Sequence, residues 1–340
     1  MGETIGAHDA STQMMQLLWP GAFAAQAIYA AARLGVADMV ADGPRSAEEI
    51  AAACGADSRS VRRLLRALAS MEVFREDDDG RFCQTPMSDS LRSGAYVRPW
   101  AIMLGSPFVW RPWGQLYDGV MTGQCAFDDV FATTFGEYMA AHPDEAEAYN
   151  AAMDMNASTA VSAVVAAYDF SAFDTIVDIG GGRGALLAGI LEANPETCGV
   201  LFDLPGVVAD TEKLQVTRLG ARCKIEGGDF FDHVPAGDAL VLKSIVHGLS
   251  DGQARQLLAN CGKSLYRGGK IILVENVLGH SQDVKPQNAL MDLMMFTLTR
   301  GQERTADEFD RLLQEAGFEL LRIIPTERGN SVIEARRAKG

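Results

Sequence analysis

The segment Thr175-Ile176-Val177-Asp178-Ile179-Gly180-Gly181-Gly182-Arg183-Gly184-Ala185-Leu186-Leu187 constrains the fold more than any other part of the chain. A β-branched apolar run feeds a glycine-rich turn, and an apolar helix rises behind it. That order opens a βαβ unit whose turn receives a nucleotide-type ligand. Glycines lack a Cβ, so the backbone can approach the ligand closely, and the unpaired amides of the helix start point into the pocket. The glycine pattern leaves two ligands open. Gly180-x-Gly182-x-x-Ala185 satisfies the dinucleotide fingerprint, with Asp203 near the spacing of a ribose-binding acid. Asp178, ahead of the glycines, favours the other ligand. A carboxylate there meets a pyrophosphate unfavourably but can recognise the amino-acid part of S-adenosylmethionine.

Beyond Asp174 the pattern is β-α alternation, with strands expected at 175–179, 199–202, 222–225, 239–242, 270–275, 320–325 and 331–336. Five near-continuous apolar strands and a hairpin around Glu327-Arg328-Gly329-Asn330 predict an α/β doubly wound sheet with an antiparallel edge. Ligands of such sheets bind at the carboxyl ends of the strands, and the polar candidates fall there. Asp203 can accept from ribose hydroxyls, Asp229 from an adenine amino group, and Phe230 can cover the ring. Lys243 follows the fourth strand, within reach of the same ligand. His247 comes one turn later, Glu275 ends the fifth strand, and Glu303 lies in Gly301-Gln302-Glu303-Arg304-Thr305. A histidine at this edge beside acids suits a general base held by carboxylates.

Upstream the chain reads differently. Residues 1–13 are polar and are expected to be a flexible tail. Residues 21–34 form an apolar helix closed near Gly35, Ser46-Ala47-Glu48-Glu49 is a capping box, and Val61, Leu64, Leu65, Leu68 and Met71 recur at helical spacing. Residues 71–76, the acidic turn Asp77-Asp78-Asp79-Gly80 and residues 81–85 complete a helix-helix-hairpin order. This is a winged helix, placed at 14–104. Arg59, Arg62, Arg63 and Arg66 give it a basic face, but the acidic wing turn and a net charge of −15 oppose phosphate binding. The apolar helix is better used as a dimerisation surface. A helical stretch at 105–170, with Trp110, Trp113 and Tyr117, can roof a pocket for a flat aromatic substrate. The ligand-binding domain follows at 171–340.

The six cysteines lie far apart, and the five histidines form no H-x-x-H cluster, so neither a disulfide framework nor a metal site is expected. The N-terminus lacks a basic region followed by an apolar core, and no apolar run reaches the roughly 18 residues of a membrane span. A cytoplasmic enzyme with no nucleic-acid or membrane partner is the expectation.

As an ordered set, these residues resemble the small-molecule O-methyltransferases of the plant caffeate and bacterial polyketide type. The set is 178–184, Phe202-Asp203-Leu204-Pro205, Gly228-Asp229-Phe230-Phe231, Leu242-Lys243, His247, Val274-Glu275 and Gly301-Gln302-Glu303-Arg304-Thr305. The resemblance covers most of the chain. It implies a class I methyltransferase Rossmann-like sheet, preceded by a winged-helix domain that makes an intertwined homodimer. It implies S-adenosyl-L-methionine as cofactor, held by Asp178, Gly180, Gly182, Asp203, Leu204, Asp229, Phe230 and Lys243. It further implies His247 as the base, Glu275 and Glu303 flanking its imidazole, and Met153 and Met295 against the substrate ring.

The chain departs from the family in one place. Asp and an aromatic residue usually follow the catalytic His, whereas Gly248 and Leu249 follow here. The missing Asp often helps hold the acceptor. Because His247, Glu275 and Glu303 all remain, methyl transfer to a phenolic hydroxyl of an aromatic or polyketide-type molecule is the leading expectation. The alternative is a relative that binds the same cofactor but runs an oxygenase-like, decarboxylating or cyclising reaction.

Overall fold

Along Thr175–Ile179 (β1), side chains alternate between two faces of a sheet, and both faces are buried. Ile176 lies in a cluster with Val241, Ile272 and Leu187, while Val177 and Ile179 lie in another with Leu240, Leu242, Leu257 and Phe309. Two buried faces need cover on both sides, which is why these strands read as continuous apolar runs. In the computed structural model, which describes residues 7–279 and 285–338, the strands after β1 are Cys198–Asp203 (β2), Cys223–Gly227 (β3), Gly237–Lys243 (β4), Leu265–Glu275 (β5), Val277–Leu278 (β6), Arg304–Thr305 (β7), Phe318–Pro325 (β8) and Ser331–Arg337 (β9). The sheet order is β8-β9-β5-β4-β1-β2-β3. Strands β5, β4, β1, β2 and β3 run parallel, and β9 and β8 add the antiparallel edge. The expected doubly wound sheet is the one observed.

Outside this sheet, β6 and β7 pair in parallel, Val277 with Arg304 and Leu278 with Thr305. Two residues carry no readable alternation, so only the structure reveals this pair. It draws the end of β5 beside the segment that carries Glu303.

Packing divides the chain into two units, Met1–Trp110 with Glu147–Ala152, and Arg111–Ala146 with Met153–Gly340. Helix Pro143–Ala167 contributes to both, so the units differ from boundaries drawn at 104 and 170. Of the tail expected over 1–13, residues 1–6 lie outside the described residues. From Ala7 a helix runs to Gln16. Its Ala, Gln and Met residues are good helix formers, and polarity alone does not oppose a helix.

In the first unit, helix Ala22–Leu34 closes on Gly35 at φ 72°. Ser46 and Glu49 cap helix Ala47–Cys54 reciprocally, and Asp57 accepts from the Ser60 N–H at 2.8 Å to open Ser58–Ala69. The hairpin of Arg75–Glu76 with Phe82–Cys83 is shorter than the expected 71–85: Glu72 takes a left-handed φ of 61° as the chain leaves the helix, and Thr85 already caps helix Pro86–Asp89. Arg62 pairs with Glu48 and Glu76, each at 3.5 Å, so part of the basic face is used within the unit. Among the described residues, no helix is long and apolar enough to cross a membrane.

Candidate active site

Strand β1 delivers Asp178 and then the glycine turn to the carboxyl edge of the sheet. Gly180, Gly182 and Gly184 take φ values of 66°, 58° and 80°, a region open to glycine and strained for other residues. Space is equally restrictive. A Cβ on Gly180 would stand 2.5 Å from Ile245 Cδ1, and one on Gly181 would stand 2.6 Å from Asp178 Oδ2, whereas at Gly182 the position is open. Phe230 lies beside the turn, 3.9 Å from the place of that Gly180 Cβ, and packs edge-on against Phe231 with ring centroids 4.7 Å apart.

Asp203 ends β2 and accepts from the N–H groups of Gly182 at 2.8 Å and Leu204 at 2.7 Å. Burial raises its pKa, and those two amides pull it back. Leu204 is itself exposed. Asp229 is exposed, and its Oδ1 accepts from the Phe231 N–H at 2.8 Å, which fixes the turn after β3. Asp178 is 2% exposed, and its Oδ2 has no hydrogen-bond partner. Burial and the nearby charge of Asp203 push its pKa up to about 7, against the pull of Lys243. Burial lowers the Lys243 ammonium in turn, opposed by Glu275 and Asp178. An orphaned buried carboxylate oxygen at a turn with open space at Gly182 fits the cationic amino group of S-adenosyl-L-methionine.

The second cluster forms where β4 and β5 end. His247 Nδ1 lies 2.9 Å from Glu303 Oε1 and 4.0 Å from Glu275 Oε2. Burial lowers the pKa of the imidazole, but Glu275 and Glu303 outweigh it and hold the ring above its ordinary value. The two acids do different work. Glu303 takes the ring nitrogen, whereas Glu275 Oε1 accepts from the backbone N–H groups of Ile245 at 3.1 Å and Val246 at 2.8 Å. Glu275 thereby shapes the segment that presents the histidine. It is fully buried, and burial raises its pKa. Gly248, where the family places Asp, has open space where a Cβ would stand.

Sequence reasoning missed the clamp behind this cluster. Arg304 is 1% exposed, and its Nη1 donates to the carbonyls of Val246 at 2.8 Å and Gln302 at 3.3 Å. Its Nη2 donates to the Leu249 carbonyl at 3.1 Å and to Asp251 Oδ1 at 2.7 Å. The Gln302 N–H donates to the His247 carbonyl at 2.8 Å, and a Cβ on Gly301 would overlap that same oxygen. Two loops are thus laid directly on each other, backbone against backbone. The Glu303 N–H is held by Asp292 Oδ1 at 2.8 Å. Met295 is half-buried on helix Pro286–Thr299, which also contacts Val246–Gly248, and Met153 is half-buried on Pro143–Ala167. Both methionines belong to the same packing unit as His247.

Comparison with known proteins resolves the ligand left open above. Residues 113–319 match the O-methyltransferase domain, and residues 17–94 match the O-methyltransferase dimerisation domain. Phenazine O-methyltransferase PhzM of Lysobacter antibioticus is 41% identical over 335 residues, 97% of either chain. The 8-amino-8-demethylriboflavin N,N-dimethyltransferase of Streptomyces davaonensis is 34% identical over 321 residues, 92% of either chain. A solved structure of NcsB1, an O-methyltransferase from neocarzinostatin biosynthesis in complex with S-adenosyl-L-homocysteine and 1,4-dihydroxy-2-naphthoic acid, aligns with a TM-score of 0.82. It is 30% identical, and the match covers 93% of this chain and 96% of that one. The sheet is that of the class I methyltransferases, and the cofactor is S-adenosyl-L-methionine. With both of its domains matched, this chain belongs to the O-methyltransferase family of cofactor-dependent methyltransferases.

Proposed function

We propose that the methyl group goes to a phenolic hydroxyl of an aromatic or polyketide-type small molecule, with His247 as the general base. The observation that carries this reading is the contact between His247 Nδ1 and Glu303 Oε1 at 2.9 Å. A carboxylate accepts, so Nδ1 bears the hydrogen and Nε2 keeps a lone pair for the acceptor. S-adenosyl-L-methionine, when bound, supplies an electrophilic methyl group on a sulfonium. Asp178 would recognise its amino group, Asp203 its ribose and Asp229 its adenine, with Phe230, Gly180, Gly182, Leu204 and Lys243 completing the cradle. His247 Nε2 takes the hydroxyl proton as the oxygen attacks, so the nucleophile gains charge only once it is aligned. Glu303 and Glu275 then stabilise the imidazolium. Alignment of the acceptor ring by Met153 and Met295 supplies the larger share, roughly 7–11 kcal/mol, and the base adds about 10²–10⁴-fold.

The relatives named above differ in acceptor atom, oxygen in one name and nitrogen in another. Incubation with methyl-labelled cofactor and matched phenol and aniline forms of the same ring systems tests the choice. Label on phenols, lost in His247→Ala, supports the reading. Label on amines alone, unaffected by His247→Ala, overturns it. A homodimer is part of the same proposal, supported by the matched dimerisation domain and by the exposed apolar row Met14, Met15, Leu17, Leu18, Trp19 and Phe23.

A further inference from the structure

Arg183 is the one long side chain of the glycine turn, and nothing above uses it. Its Nη1 donates to Asp154 Oδ2 at 2.8 Å, and the two side chains are only 14% and 20% exposed. Asp154 follows Met153 on helix Pro143–Ala167. Two turns further along the same face of that helix, Val161 fills the space over Gly189, where a Cβ would overlap Val161 Cγ1. Gly189 belongs to helix Ala185–Ala193, which starts at the glycine turn. One helix face is therefore fixed twice, by an apolar contact without slack and by a charged pair. The backbone of Arg183 is anchored as well, its carbonyl accepting from the Gln215 N–H at 2.8 Å. A turn made otherwise of glycine pays a large entropy to order and has no other side chain with which to hold itself.

We propose that Arg183 and Asp154 are positioning residues that join the cofactor turn to the helix bearing Met153, so that the turn is ordered for the cofactor and the acceptor contact is set against it. The inference rests on the assignment of the turn to the cofactor and of Met153 to the acceptor. The pair touches no reacting atom and moves no proton. It holds the turn in its binding shape before the ligand arrives, which lowers the ordering cost of binding.

Calorimetry with S-adenosyl-L-homocysteine, whose neutral sulfur removes the sulfonium charge from the comparison, tests this on the full chain. Wild type, Asp154→Asn, Arg183→Gln, Arg183→Lys and the Asn/Gln double variant are compared, with amide hydrogen exchange over residues 180–184 in the ligand-free protein. Each neutral single variant is expected to bind about tenfold more weakly and to exchange faster in the turn, and the double variant no more weakly than either single. Arg183→Lys is expected to recover part of the affinity. Additive losses, or single variants within about twofold of wild type, overturn the proposal. So does a lowered melting temperature with affinity and turn exchange unchanged, which marks a merely structural pair. If wild type does not bind S-adenosyl-L-homocysteine, the assignment of the turn falls and the proposal with it. None of these outcomes bears on His247 as base, because this ligand has no acceptor hydroxyl.

Discussion

His247 Nδ1 stands 2.9 Å from Glu303 Oε1, and Glu275 Oε2 stands 4.0 Å from the same nitrogen. Both acids are almost completely buried, so their charges act on the ring with little screening by water. This arrangement stabilises the protonated imidazole and at the same time fixes Nδ1 as the nitrogen turned to the carboxylates.

The first expectation concerns pH. The carboxylates overcome burial and hold the His247 pKa above its ordinary value of about 6.5. Only the neutral ring takes a proton, so kcat/KM is expected to rise with pH through a limb above that value. Glu303→Gln removes one charge and leaves only a neutral oxygen to accept from Nδ1, which moves the limb to lower pH and is expected to lower kcat by less than the loss of about 10²–10⁴-fold for removing the base itself. Rate profiles between about pH 5 and pH 9 measure both effects. A limb that stays in place in the variant excludes His247 as the titrating group.

Glu275 separates charge from shape. Glutamine keeps an oxygen for the Ile245 and Val246 amides, whereas alanine strands both N–H groups in the interior. Glu275→Ala is expected to destabilise the fold by about 2–5 kcal/mol, from two buried donors left unmade. Glu275→Gln should retain stability yet turn over more slowly. Urea melts and steady-state rates on both variants decide this, and equal destabilisation by the two would show that the amides are not what Glu275 holds.

Asp178 should trade stability for binding. Unfolded, its carboxyl ionises near the ordinary value of about 3.9, and folded near about 7, so the folded state holds an extra proton between them. Stability therefore falls as pH rises through that window, and Asp178→Asn removes the loss. The variant is expected to melt above wild type at pH 8, to lose that advantage at pH 5, and to bind S-adenosyl-L-homocysteine more than about tenfold more weakly. An advantage equal at both pH values would place the effect elsewhere.

Gly301→Ala drives a methyl group into the His247 carbonyl and must part the two loops. It breaks the Gln302 N–H bond to that oxygen and shifts the base while leaving the glycine turn alone. Destabilisation of about 1–3 kcal/mol is expected from the overlap. Turnover should fall at least about tenfold, with S-adenosyl-L-homocysteine affinity within about twofold of wild type. A fully active variant would mean that the loops tolerate separation.

Assembly can be tested at the N-terminal apolar row. Leu17 is 73% exposed and Trp19 is 68% exposed, which is costly for a monomer in water. Wild type is expected to sediment as a dimer at micromolar concentration, and the double change Leu17→Asp with Trp19→Asp as a monomer. A wild-type monomer that methylates normally would remove the dimer from the proposal.

The sheet and the cofactor turn were legible because their signals are local: a period of two, an apolar run, glycines where no Cβ fits. The clamp was not. Arg304 and Asp251, the first residue of helix Asp251–Ser264, lie 53 positions apart, and nothing in sequence joins them. Glu275 and Glu303 were both identified, but their division of labour depends on where the β6–β7 pair sets each carboxylate. The pairing of Arg183 was not legible either, since its partner Asp154 lies 29 positions away on a helix rich in small residues.

The close fit of Gly180 to Ile245 has a consequence for how this scaffold diversifies. Ile245 Cδ1 sits against the first glycine of the turn, two residues ahead of the histidine. Its aliphatic side chain reaches from the segment that carries His247 to the glycine turn, so on the proposed reading its bulk bears on the spacing between cofactor and base. Valine there is expected to let the turn and the histidine segment approach, and methionine to spread them. On that reading the spacing is carried by one hydrocarbon side chain, which can be exchanged while every residue that carries charge or a proton stays as it is.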